Sequence, residues 1–168
     1  MRGSVAAMAG VSLRDERAGD RPFLRELYGA SREHEPAAGI LPRSAWASLL
    51  DQQFEMQMAH YHTAYPGADY WIVEQHGRAI GRLYVHADES AGEMRVLDIG
   101  LLPECRGRGI GTALLARVIE RARERGCSVW LQVEMSNPAR RLYGRMGFRE
   151  MSGDGPFVSM RWVAVDFG

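Results

Sequence analysis

The chain has 168 residues, 46% of them hydrophobic and 25% charged, and its 21 basic side chains balance 21 acidic ones. That make-up suits one soluble globular domain that needs no staples, and the zero formal charge argues against a nucleic-acid or anionic-membrane partner. Cys105 and Cys127, with no CxxC pair, argue against a disulfide framework or zinc site and suit a reducing cytoplasm, and no apolar run approaches the ~20 residues of a membrane span.

Residues 1–10 carry one arginine among small apolar residues and read as a flexible leader, which leaves 11–168 as a single domain. Val11 to Arg14 alternates like a short strand. Asp20 as an N-cap and Pro22 in the first turn open a helix through Phe23, Leu24, Leu27 and Tyr28. A loop from Pro36 to Pro42 precedes a second helix, from about Arg43 to His62. There Trp46, Leu50, Phe54 and Met58 recur every four residues as a core stripe. His60 and His62 lie roughly 200° apart on that helix and make a poor metal pair, and no metal is expected. Tyr65 to Asp69 reads as a turn. Strands follow from Tyr70 to Glu74 and, past Gln75-His76-Gly77-Arg78, on to Val85. A polar turn from Asp88 to Glu93 leads into the apolar strand Met94 to Leu102, so these three strands are expected to be antiparallel neighbours.

The pattern then changes. Ile110 to Arg125 has helical periodicity, with Ile110, Ala113, Leu114, Val118 and Ala122 on one side. Arg117, Glu120, Arg121 and Glu124 are spaced for pairing on the other side, and Gly126 is a stop. Cys127 to Glu134 is a buried-looking strand, so Met94–Leu102, the helix and this strand form a βαβ unit with the two strands parallel. Asn137 caps a helix from Pro138 to Met146 that Gly147 ends. Phe148 to Met151 and Phe157 to Val165 supply the last strands. The fold class is α+β: a mixed, mostly antiparallel sheet of about six or seven strands flanked by about four helices.

Between strand and helix lies Leu101-Leu102-Pro103-Glu104-Cys105-Arg106-Gly107-Arg108-Gly109-Ile110-Gly111-Thr112. Glycines at 107, 109 and 111 let backbone N–H groups approach a ligand, the following helix points its positive end there, and Arg106 and Arg108 add charge. A pyrophosphate-bearing ligand is one reading; a tight turn with a solvated arginine pair is the other. No Walker run GxxxxGK[ST] occurs, and both GxGxxG alignments fail, at Thr112 and at Leu114.

Arg106-x-x-Gly109-x-Gly111, followed one helix and one strand later by Asn137-Pro138-Ala139-Arg140-Arg141-Leu142-Tyr143-Gly144-Arg145-Met146-Gly147-Phe148, resembles the GNAT superfamily of acyl-CoA-dependent N-acyltransferases. The resemblance is close over about residues 69–163 and one of layout only before that. It implies a GNAT-like sheet and an N-acetyltransferase that moves an acetyl group from acetyl-CoA to a primary amine of a small molecule, protein or peptide. Composition and charge add the expectation of a cytoplasmic protein with no metal and no nucleic-acid or membrane partner, and a monomer or homodimer is expected. The alternative is a non-catalytic acyl-CoA-binding regulatory or interaction module.

Residue by residue, the resemblance implies that backbone at Leu101 and Leu102 pairs with the pantetheine arm. The N–H groups of Arg106, Gly107, Arg108, Gly109, Ile110, Gly111 and Thr112 would cradle the pyrophosphate, and Asn137 would bond the pantetheine amide. Arg140 would approach the adenosine phosphate, or else is an exposed helix charge. Tyr143 would protonate the departing thiolate, since a phenol pKa of ~10 lies near a thiol pKa of ~8.5. A backbone N–H near Leu101 would steady the oxyanion. Asp98 is read as the group that binds or deprotonates the acceptor ammonium, with an ion pair to Arg82 or Arg95 as the rival reading; Glu33, Glu35 and Glu134 are weaker candidates. Arg95 stands where some relatives carry an acid, which argues against that form of the base. Neither cysteine has a histidine–acid pair, so direct attack in a ternary complex is expected over an acyl-enzyme. Glu33, Glu35, Asp51, Glu55 and Asp98 hint at a cationic acceptor.

Overall fold

The computed structural model describes residues 9–165 apart from Ser152 and Asp154, so most of the expected leader lies outside the described residues. Seven strands form one sheet: β1 (Val11–Asp15), β2 (Asp69–Gln75), β3 (Arg78–Asp88), β4 (Glu93–Leu101), β5 (Ser128–Glu134), β6 (Arg149–Glu150) and β7 (Phe157–Trp162). Their spatial order is β1-β2-β3-β4-β5-β7-β6, antiparallel throughout except for the parallel pair β4–β5. The helices are α1 (Arg21–Arg32), α2 (Pro36–Ile40), α3 (Arg43–Ala64), α4 (Ile110–Arg125) and α5 (Ala139–Arg145).

Two apolar layers follow from strand alternation. On one face, Leu24 and Tyr28 of α1 and Leu50, Phe54 and Met58 of α3 enclose Ile72; the four-residue stripe is core, as expected. On the other, Ile110, Leu114, Val118 and Ala122 of α4 pack on Val73, Leu83, Met94 and Val129. Gly126 closes α4 in the left-handed conformation, φ 65°.

The departures from the sequence reading are local. Pro36 to Ile40 forms a short helix instead of a loop, because Pro36 sits at its first turn where a missing N–H costs nothing. β7 stops at Trp162, and β6 keeps only two ladder residues. Asp20 stands at the N-cap position of α1 but does not cap it. Its carboxylate takes the Arg17 N–H at 2.7 Å and a bidentate Arg14 guanidinium at 2.7 and 2.8 Å. Arg14 thereby holds it below the usual carboxylate range. Arg121, spaced for pairing along α4, reaches instead to Asp69 at 2.7 Å and covers the Trp71 ring; only Glu120 pairs within the helix, with Arg123.

One irregularity positions the site. β4 pairs with β3 as Tyr84↔Asp98 and then Val85↔Val96, so Leu97 is an extra, bulged residue. The pairing of β4 with β5 ends at Val96↔Leu131, one residue before the bulge. A bulge bends its strand and sharpens the twist. Beyond it β4 and β5 splay apart, leaving a V-shaped gap in the middle of the sheet.

Candidate active site

The gap opens into a cleft of about 660 Å³. One end is lined by Gly100, Leu101, Arg106, Asn137 and Tyr143, the other by Tyr28, Arg32, Glu35, Gln57, Tyr61, Arg82 and Asp98. The predicted strand-end, Asn137 and Tyr143 positions thus converge on one place with Asp98.

The first end is built from backbone. In an antiparallel ladder, successive residues turn their N–H and C=O alternately to the two neighbours. Leu102 donates its N–H to the Ile80 carbonyl at 2.8 Å, so Leu101 and Ile99 turn theirs towards the gap. Leu102, expected to share the pantetheine contact, therefore has its donor engaged elsewhere. Arg106 Nε donates to the Leu101 carbonyl at 3.0 Å and fixes the start of the glycine loop against the strand end. Gly107 and Gly109 both lie at positive φ, 73° and 80°, where a side chain would strain the turn, and Gly109 leads directly into α4. Arg106 gives its own N–H to Pro103. The next six amides, from Gly107 to Thr112, donate to no acceptor among the described residues. Ile110 contributes only backbone here, because its side chain is buried in the core.

Gly111 is informative for the opposite reason. A Cβ there would find nothing nearer than Leu101 Cδ1 at 4.0 Å. The protein itself therefore does not require glycine at 111, whereas a ligand lying on the loop would.

Asn137 is exposed; its Oδ1 accepts the Ala139 N–H at 2.9 Å, which leaves its amide NH₂ as a free donor on the cleft wall. Arg140 turns away, to Glu150 at 2.5 and 2.9 Å and to the Met135 carbonyl at 2.5 Å, as an exposed helix charge would. Tyr143 packs its ring against Phe148, centroids 6.1 Å apart, but its hydroxyl has no partner among the described residues. Burial, and then the charge of Asp98, raise its pKa above the ordinary phenol value. Its hydroxyl is thus a protonated phenol on the cleft wall that the described residues leave unbonded.

The second end is built from side chains paired with one another. Asp98 bonds Arg82, a guanidinium only 4% exposed, and lies 3.4 Å from the Tyr61 hydroxyl. Arg82 also donates to Gln57 Oε1 at 2.7 Å and stacks on the ring of Tyr84 at 4.9 Å. Burial lifts the Tyr61 phenol far above its ordinary value. So the ion-pair reading of Asp98 holds for Arg82, while Arg95 reaches only Glu93, at 4.0 Å. Three of the other four carboxylates that suggested a cationic acceptor are also engaged: Glu35 with Arg32, Asp51 with Arg25 at 2.5 Å, and Glu55 with Arg21. Glu33 lies outside this cleft, and Glu134 is exposed on its rim.

Sequence reading missed Tyr28, Arg32, Gln57 and Tyr61 as lining residues. One signal for Arg82 was available: it is the lone charge in the apolar run Ile80 to Val85, and a buried charge requires a partner. Among the described residues no group of three His, Cys, Asp or Glu is placed to hold a metal, and no helix is long and apolar enough to cross a membrane.

Comparison with known proteins adds to this geometry. Residues 41–148 match the model of the acetyltransferase (GNAT) family. The [ribosomal protein bS18]-alanine N-acetyltransferase of Haemophilus influenzae is 40% identical over 60 residues, which are 35% of this chain and 41% of that one. An uncharacterized N-acetyltransferase of Methanocaldococcus jannaschii is 35% identical over 60% of this chain and 72% of its own length. Among solved structures, the PaiA N-acetyltransferase of Thermoplasma acidophilum in complex with coenzyme A superposes with a TM-score of 0.69 at 19% identity, over 92% of this chain and 99% of that one, which shows a common fold.

Proposed function

The chain belongs to the acetyltransferase (GNAT) family, and from that premise we propose that it transfers an acetyl group from acetyl-CoA to a primary amine by direct attack in a ternary complex. The observation that carries the reading is the run of six unspent amides from Gly107 to Thr112, beside a splayed strand pair that ends at an unpartnered Tyr143. Acetyl-CoA supplies the activated carbonyl and a good leaving group. The glycine-loop amides and the N-terminus of α4 bind its pyrophosphate, with Arg108 adding charge. Backbone of β4 beside Leu101 and the Asn137 amide hold the pantetheine arm in the gap where β5 would otherwise pair.

Catalysis then needs three things of the protein. The Leu101 N–H faces the place where the thioester oxygen gains charge and steadies it there. As the C–S bond breaks, Tyr143 gives its proton to the departing thiolate sulfur, and the proton the attacking nitrogen sheds on becoming an amide returns through water to the Tyr143 oxygen; burial favours the protonated phenol. The amine must arrive deprotonated. Asp98, with one oxygen bonded to Arg82, turns the other towards Gly100 on the cleft side, where it holds the ammonium until water takes its proton.

The test is coenzyme A binding by calorimetry, followed by thiol release from acetyl-CoA across a panel of amines and peptides. Saturable binding with amine-dependent thiol release is expected. Absence of coenzyme A binding at millimolar concentration would overturn the reading. Binding without release for any amine would favour the non-catalytic alternative.

A further inference from the structure

A second cavity, of about 200 Å³, opens beside the main cleft and shares Tyr61, Leu97, Leu131 and Gln132 with it. It continues the acceptor end through the mouth of the splay. Its remaining walls include His60, Tyr65, Arg95 and Trp130, and none of its lining residues is acidic. Strand register sets Arg95 opposite Trp130 and Trp130 opposite Arg161, beyond the part of the sheet that α1 and α3 cover.

Two buried donors lack an acceptor oxygen, one on the Trp130 wall of this cavity and one on Arg161, which stacks on that wall without lining the cavity. Trp130 Nε1 and Arg161 Nε are buried and have no hydrogen-bond partner among the described residues. A buried donor left unbonded is costly, and native proteins keep few of them. Two lie together here, with the Arg161 guanidinium 5.0 Å over the indole ring. Arg95 is half exposed, and its nearest carboxylate among the described residues is Glu93, at the outer limit of an ion pair, 4.0 Å, so most of its charge is left for a ligand. In the main cleft Glu35 and Asp98 are each paired with an arginine, Asp98 through one oxygen with the other towards Gly100.

We propose that the smaller cavity receives an anionic oxygen group, a carboxylate or a phosphate, carried by the acceptor amine itself. The inference rests on the acyl-transfer reading above and narrows its substrate class to a bipolar acceptor: the amine beside Asp98 and Tyr143, the anion between Arg95 and Trp130. Polyamines are poor acceptors on this account, since their second ammonium would face Arg95. Arg161 must slide off the indole to expose Nε1. Its hold on Ser128 Oγ is a single contact at 3.5 Å, long enough to give way.

The experiment is thiol release from acetyl-CoA with a chain-length series of ω-amino carboxylates, their carboxamides, aminoalkyl phosphates and diamines. One carboxylate or phosphate of matching length is expected to exceed its neutral counterpart in kcat/KM by about tenfold or more, the worth of a charge-assisted contact. Which of the two anions leads identifies the source of the oxyanion. Arg95→Glu is expected to collapse that ratio, chiefly through KM for the anionic amine. Independently of turnover, the matching amino acid should change the tryptophan emission of the coenzyme A-loaded protein saturably. The change should disappear in Trp130→Phe and weaken in Arg95→Glu. Equal or better use of carboxamides or diamines, with a ratio indifferent to Arg95→Glu, would overturn the bipolar acceptor while leaving acyl transfer intact. Coenzyme A binding with no thiol release from any amine would overturn acyl transfer, and absence of the emission change would then overturn the anion site as well.

Discussion

The two ends of the cleft are built by opposite means. At the glycine loop, the backbone amides from Gly107 to Thr112 and the Tyr143 hydroxyl have no partner among the described residues. At the Asp98 end nearly every polar group is already bonded to another: Arg82 to Asp98 and Gln57, Arg32 to Glu35 and Tyr28. Groups unspent in folding are free to act on a ligand, so the first end should be separable from stability. Groups spent on one another hold the fold as well as the pocket, and the second end should not be.

The sharpest way to break that contrast is at Tyr143. Tyr143→Phe removes a hydroxyl that has no partner among the described residues, so the denaturation midpoint should stay within experimental scatter. Loss of a general acid should lower kcat about 10²–10⁴-fold with little change in KM for acetyl-CoA. A variant that unfolds more easily, or one that turns over normally, would place Tyr143 in the core instead of the chemistry.

Arg82→Met should do the reverse. It leaves the Asp98 carboxylate half-buried beneath α3 with only the Tyr61 hydroxyl near it. Breaking one member of a buried pair costs about 3–5 kcal/mol, measurable by urea denaturation. The paired change Arg82→Met with Asp98→Leu should recover much of that stability, because an apolar replacement of both partners leaves no stranded charge. If Arg82→Met alone were silent, the second end would be as dispensable to the fold as the first.

This contrast also accounts for what was readable in the chain. The glycine loop, the α4 start and the Asn137 turn are set by local backbone demands, positive φ at Gly107 and Gly109 and the Asn137 Oδ1 accepting the N–H two residues on, so residue spacing carries them, although Pro138 and not Asn137 stands at the N-cap of α5. The core stripe from Leu50 to Met58 and the β4–α4–β5 crossover were readable for the same reason of period. The Asp98 end is made by contacts such as Arg82 to Gln57, between a strand and a helix far apart in sequence, and no local pattern announces which arginine meets which acid. Five carboxylates looked like a cationic-acceptor surface; four of them meet an arginine only once the chain is folded. The bulge at Leu97 was equally silent, since it shows only as a register shift between two paired strands.

A milder substitution sharpens the comparison at Gly111. Alanine there has room for its Cβ and a better helix propensity than glycine, so stability should hold or rise by up to about 1 kcal/mol. The same methyl group stands where the loop would meet a pyrophosphate, and coenzyme A affinity by calorimetry should fall about tenfold, equivalent to ~1.4 kcal/mol. Stability and affinity moving in opposite directions is the mark of a residue kept for its ligand. Loss of both together would mean that the loop itself needs glycine at 111.

The smallest effect is a limb that should be absent from the pH profile. Tyr143 has its pKa raised by burial, and Tyr61 is raised further still. For an acid that ionises to an anion, a raised pKa favours the protonated form, so Tyr143 keeps its proton at every pH below the ordinary phenol value of ~10. An alkylamine acceptor, with a reference pKa of ~10.4, gains its free-base form as pH rises. With saturating acetyl-CoA, kcat/KM for the amine should therefore climb from neutrality with a slope near one and show no decline below about pH 10. The stability term has the matching sign. The raised tyrosines favour the folded state fully below the unfolded phenol pKa and lose that contribution only as pH rises through their folded values. A falling limb near pH 8–9 while circular dichroism stays native would assign the proton donor to a more acidic group than Tyr143, and the unpartnered hydroxyl would then be a feature of the wall rather than of the reaction.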